Sequence, residues 1–188
     1  MLKKQREVPE ILLLKERQKN KIILQFKFWF LKVKGFHLFA LLCLYSCAAE
    51  KTLEYSEEHS TRNKIVTVAK GELGDSYKYA SSGPNSYDCS GLVKYVFTRA
   101  SVSIGGSSSS MSKLSSGIDI KHARPGDLVF FAEKGKVFHV AIITASSRTK
   151  LQVIHSTSSQ GVIQQEVLSS NYWQPKLYKI ISLEALLN

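Results

Sequence analysis

The chain has 188 residues, 44% of them hydrophobic and 22% charged, which allows one ordinary domain with a short extension and excludes a disordered chain. Its net charge of +11 is concentrated early: residues 1–46 hold ten Lys or Arg against three Glu, a net of +7, leaving +4 for residues 47–188. No basic stripe interleaved with aromatics occurs beyond residue 46, so nucleic acid is not expected as a partner, and the faint positive charge suits an anionic polymer.

Residues 1–46 read as a leader. From Phe36 to Ala48 about a dozen mostly apolar residues follow Lys32 and Lys34, too short for a bilayer span and right for a signal-peptide core. The ending Leu44-Tyr45-Ser46-Cys47 resembles a bacterial lipobox, which makes Cys47 the expected site of lipidation and of a membrane anchor. Residues 1–30 mix charges with Leu and Ile clusters and are expected to lie upstream of the true start, near Leu31 or Val33; the other reading is an amphipathic extension. Residues 47–59 are polar and acidic and read as a tether, so the domain is expected over residues 60–188.

Within the domain, Ser60 is the expected N-cap of a helix to about Leu73, with Ile65, Val68 or Ala69, and Leu73 on one face. A turn-rich segment, Ala80 to Ser86, leads to a second helix starting at Cys89 and running to about Ala100, which would bury Leu92, Val93, Val96 and Phe97. Ile104 to Ser116 reads as a small-residue loop. Five apolar or β-branched segments follow: Leu128 to Phe131, Val137 to Ala145, Leu151 to His155, Gly161 to Leu168 and Leu177 to Ile181. Helices first and an antiparallel sheet of about five strands after is an α+β layout.

Three cysteines are present, and with Cys43 and Cys47 in the leader, Cys89 is the lone thiol of the domain. Tyr87-Asp88-Cys89-Ser90-Gly91 opens the second helix, where unpaired N–H groups and the helix dipole favour a thiolate and the Cys89 N–H can face an oxyanion. A base must come from histidine. If the strands carrying His139 and His155 form a hairpin with its turn centred on Arg148, Ala141 faces His155 and His139 is its diagonal neighbour on the same side. A one-residue slip would put the rings on opposite faces. On residue type alone Cys89, His139 and His155 also fit a zinc set; no metal or other cofactor is expected.

These residues carry a resemblance. Tyr77-Lys78-Tyr79, Tyr87-Asp88-Cys89-Ser90-Gly91-Leu92-Val93, Arg124-Pro125-Gly126-Asp127-Leu128-Val129-Phe130-Phe131, Phe138-His139-Val140 and Val153-Ile154-His155-Ser156 together resemble the signature of the NlpC family of bacterial cell-wall cysteine peptidases, in its small lipoprotein form. The resemblance covers roughly Thr61 to Ile180 and implies a papain-like α+β domain. It implies Cys89 as nucleophile, His139 as base, His155 as the orienting third residue and Tyr77 as a hydroxyl near the oxyanion. Asp88 and Ser90 match positions that recognise a substrate amine, and Ser108 matches a serine that frames the cleft. The implied reaction is cleavage of the D-glutamyl–diamino acid bond in peptidoglycan stem peptides, by a monomer in the cell envelope. Three departures bear on substrate choice: Ala80-Ser81 for Gly-Gly, Ala141 for Gly, and Ile104-Gly105-Gly106-Ser107-Ser108 for a Leu-Pro-Arg-x-Ser stretch. The alternatives are a catalytically silent peptidoglycan-binding module and a related amidase or acyltransferase.

Overall fold

Ile65 and Ala69 lie one helical turn apart, and both are fully buried, which fixes the inner face of the first helix, α1. The computed structural model describes residues 55–187, and α1 occupies 55–71 of them. The leader, Cys47 and the tether as far as residue 54 lie outside the described residues. Three expectations for this segment are corrected. Helix is already under way at residue 55, so Ser60 sits inside it rather than capping it, and residues 55–59 are helical rather than tether. Leu73 falls in the turn after the helix and is 41% exposed, so it is not part of the buried face.

Two short parallel strands follow, β1 (Ser76–Tyr77) and β2 (Ser86–Tyr87), registering Tyr77 against Tyr87. The chain then enters α2 (Cys89–Arg99), whose N-cap is Asp88. Its carboxylate accepts from the Gly91 N–H at 2.6 Å, satisfying one of the orphan donors of the first turn. Leu92, Val93, Val96 and Phe97 are buried at helical spacing, as the periodicity predicts. A Cβ on Gly91 would sit 1.9 Å from the Ser81 carbonyl oxygen, so only glycine lets α2 approach the turn this closely.

The expected small-residue loop contains a four-residue helix, α3 (Ser108–Met111), capped by the Ser107 hydroxyl and pinned by the fully buried Met111. The sheet comprises β3 (Leu128–Glu133), β4 (Lys136–Ser146), β5 (Leu151–Thr157), β6 (Gly161–Glu166) and β7 (Leu177–Ile181), and α4 (Glu184–Leu187) comes last. The strand order is β6-β5-β4-β3-β7, antiparallel throughout. Among the described residues the fold is therefore four helices and this five-stranded sheet, the α+β layout that the order of segments predicts.

Both sheet faces are covered, which explains why Leu128 to Phe131 is apolar without alternation. Leu128, Phe130, Val140, Ile142 and Ile154 join the cluster that holds Ile65, Ala69 and the buried side of α2. Val129, Phe131, Ala141, Ile143 and Val153 join a second cluster with Val167 and Trp173.

Asp127 ties these parts together. It is fully buried and accepts from Arg62 Nη1 at 2.6 Å, the Arg124 N–H at 2.7 Å and the Leu183 N–H at 2.9 Å. One carboxylate thus joins α1, the entry to β3 and the segment after β7. Arg62 also reaches Glu58 Oε1 and the Pro125 carbonyl, so the buried charges are paired as burial demands.

Candidate functional site

The hairpin that should bring the histidines together has the register needed at its open end. Ile142 pairs with Ile154 and Ile143 with Val153, which sets Ala141 opposite His155 and His139 on the same side. The register then shifts by one residue between Ile143 and Ala145. That irregularity lies on the turn side of the histidines and leaves their facing unchanged. His139 Nε2 lies 3.0 Å from His155 Nδ1, and His155 Nε2 lies 3.2 Å from Gln165 Oε1 on β6.

Cys89 stands at the first position of α2, partly buried. Hydrogen bonds tie the Cys89 segment to β5 and the turn before β1 to β6. The Ser156 hydroxyl donates to the Tyr87 carbonyl at 2.7 Å, and the Gly74 N–H donates to the Val162 carbonyl at 2.9 Å while the Val162 N–H returns to Asp75. Cys89, His139 and Tyr77 consequently line one cleft of about 510 Å³. Hydroxyl-bearing residues 156–159 and Gln160 form part of its wall, and Phe138, Tyr172 and Trp173 form another.

Electrostatics set the resting protonation. Burial pushes the Cys89 thiol above its ordinary range and the Asp88 carboxylate adds to this, while backbone N–H groups, that of Val140 foremost, pull the other way. The helix start therefore does not by itself yield a thiolate, which corrects the expectation of a depressed thiol. Burial lowers both histidines, His139 further through its neighbour His155, so both are neutral at neutral pH. Burial, with Cys89 and Asp88 nearby, raises Tyr77, whose phenol stays a hydrogen-bond donor.

Trp173 was not singled out by the sequence. It is 9% exposed and its ring centroid lies 4.7 Å from that of His139, 5.0 Å from His155 and 4.8 Å from Phe131. Its ring packs against both of the paired imidazoles. The signal was a large apolar ring in the polar stretch Ser169 to Gln174, with no local place to bury it.

The profile of the NlpC/P60 family matches residues 74–182, which contain all of these site residues. The chain belongs to the NlpC/P60 family.

It is 32% identical over 141 residues to the gamma-DL-glutamyl hydrolase of Bacillus subtilis, covering 74% of this chain and 34% of that protein. It is 36% identical over 84 residues to the probable endopeptidase p60 of Listeria monocytogenes, covering 45% of this chain and 17% of that one. The chain thus spans about a third or less of the length of these relatives. Among solved structures, the NlpC/p60 domain of the peptidoglycan hydrolase SagA superposes with a TM-score of 0.55 at 26% identity, covering 65% of this chain and 98% of that domain. A Bacillus cereus NlpC/P60 family protein gives 0.57 at 25% identity, over 64% of this chain and 39% of that one. The papain-like α+β fold follows from these likenesses.

In this NlpC/P60 domain the remaining sequence candidates fall in different places. Asp88 and Ser90 flank Cys89 and are engaged in the cap, the Ser90 hydroxyl donating to Asp88 Oδ1 at 2.9 Å. Ser108 is buried in α3 and is not among the residues lining the cleft, because the short helix turns it inward. Ala80 has a φ of +56°, a left-handed conformation that glycine adopts without penalty. Ala141 is buried in β4 opposite His155. Among the described residues no three His, Cys, Asp or Glu are gathered in a group that could hold a metal ion.

Proposed function

We propose that this protein is a cell-wall cysteine peptidase that cleaves the D-glutamyl–diamino acid bond of peptidoglycan stem peptides, with Cys89 as nucleophile, His139 as base and His155 orienting it. The observation that carries the reading is the cleft itself: a thiol at a helix start and an imidazole whose Nε2 is taken by His155 both line it. The names borne by the relatives, a gamma-DL-glutamyl hydrolase and a peptidoglycan hydrolase, support the substrate class.

The resting pair is a neutral thiol and a neutral imidazole. His139 takes the thiol proton through Nδ1 as Cys89 Sγ attacks the γ-carbonyl carbon of the D-glutamyl residue. The oxygen that becomes negative receives hydrogen bonds from the Cys89 N–H and the Tyr77 phenol. Collapse breaks the C–N bond, and the departing amine of the diamino acid takes the proton from His139. A thioester on Cys89 remains. Water, losing a proton to His139, attacks it and releases the D-glutamyl carboxylate and the thiol. Asp88 Oδ2, unused in the cap, suits a free amine at the substrate's N-terminus, with Ser90 beside it.

Digestion of purified muropeptides by the full chain, with mass analysis of the products, tests the bond assignment. Fragments ending in D-glutamate are expected; cleavage elsewhere, or intact muropeptides, would overturn it. The signal-peptide core and lipobox support export and anchoring through lipidated Cys47. Cys47→Ala should then move the protein from the membrane to the soluble envelope fraction, and an unchanged distribution would refute the anchor.

A further inference from the structure

His155 is fully buried, and a second side chain holds it from the side away from His139. Gln165 sits on β6, two residues beyond Ile163, which pairs with His155, and its Oε1 lies 3.2 Å from His155 Nε2. Gln165 turns its Oε1 rather than its Nε2 to the ring, and a carboxamide oxygen only accepts, so in this amide orientation His155 Nε2 carries the proton. A neutral imidazole has one N–H, and His155 Nδ1 is therefore a bare lone pair. That lone pair faces His139 Nε2 at 3.0 Å, so His139 Nε2 must be the donor. By the same count, His139 Nδ1 is left without a proton, as a base requires. The reverse arrangement would put the proton on His155 Nδ1 and on His139 Nδ1, and His139 could accept nothing from a thiol.

We infer that Gln165 is a positioning residue that selects this tautomer chain, acting on His139 through His155. The inference rests on the reading of His139 as base. Trp173 packs against both rings and has no acceptor to offer them, so within this part of the site the choice falls to the Gln165 carbonyl.

The test uses the full-length protein carrying 15N-labelled histidine, with long-range proton–nitrogen spectra at neutral pH and steady-state kinetics on muropeptides. Wild type should show both buried histidines as the Nε2–H form. Gln165→Leu should lose the uniform Nε2–H signature of His155 and lower kcat about 10–100-fold with KM little changed. Gln165→Glu, which keeps an acceptor, should restore the signature and most of kcat. Gln164→Leu on the same strand, whose side chain reaches Thr144 and Gln152 instead, should change neither.

A wild-type His155 protonated at Nδ1 overturns the inference without recourse to any variant. So does a Gln165→Leu protein with the signature intact, or one whose loss lies in KM alone. A wild-type chain with the expected tautomers and no turnover would defeat the functional reading while supporting the tautomer assignment.

Discussion

Cys89 combines a helix start with partial burial, and the two act in opposite directions on its thiol. Burial wins, with Asp88 assisting, and burial also keeps His139 neutral. The sign of each shift fixes the pH dependence. A raised thiol is less ionised at every pH below its midpoint, so iodoacetamide should alkylate Cys89 along a profile centred above the ordinary cysteine value of about 8.5. A midpoint below about 7 would indicate a resting thiolate–imidazolium pair instead. A lowered His139 remains a base on acidification, so kcat/KM should hold through about pH 6.5, where an ordinary histidine is half protonated, and fall only below it. Cys89, His139 and His155 were legible because each type is scarce and its segment has a clear period. Gln165 and Trp173 were not. Their roles arise from a strand register and from a ring folded back over the site, neither of which a local pattern encodes.

The elements that place the site are held by polar atoms as much as by apolar packing. Asp127 is fully buried and joins α1, the start of β3 and the segment after β7. Asp127→Ala should cost about 3–5 kcal/mol, because Arg62 would remain buried with one carboxylate partner removed. The shift of the urea midpoint measures it, and a loss under about 1 kcal/mol would show that the hub is dispensable. All five strands and α2 could be read from the sequence, since β-branched runs and the spacing of Leu92, Val93, Val96 and Phe97 are strong signals. The start of α1 could not. Its polar residues before Ile65 carry no apolar period, and Arg62 and Glu58 enter the helix through ion pairs to residues far along the chain. The fine register of β4 was equally hidden, because the shift near Thr144 moves the turn and leaves the histidines in place.

At the scale of the whole molecule, a two-faced sheet sets its helices against one side and a smaller apolar cluster with Trp173 against the other. The cleft forms where the start of α2 meets the β4–β5 pair, with hydroxyls on one wall and aromatic rings on another. The central claim is that turnover in this cleft passes through the Cys89 sulfur. The most direct measurement is intact mass of the full chain, acid-quenched within the first turnover on a stem-peptide substrate. The wild-type protein should carry one acyl adduct, mapping to Cys89, which Cys89→Ala lacks along with all turnover. Turnover by Cys89→Ala, or an adduct on another residue, would contradict the account.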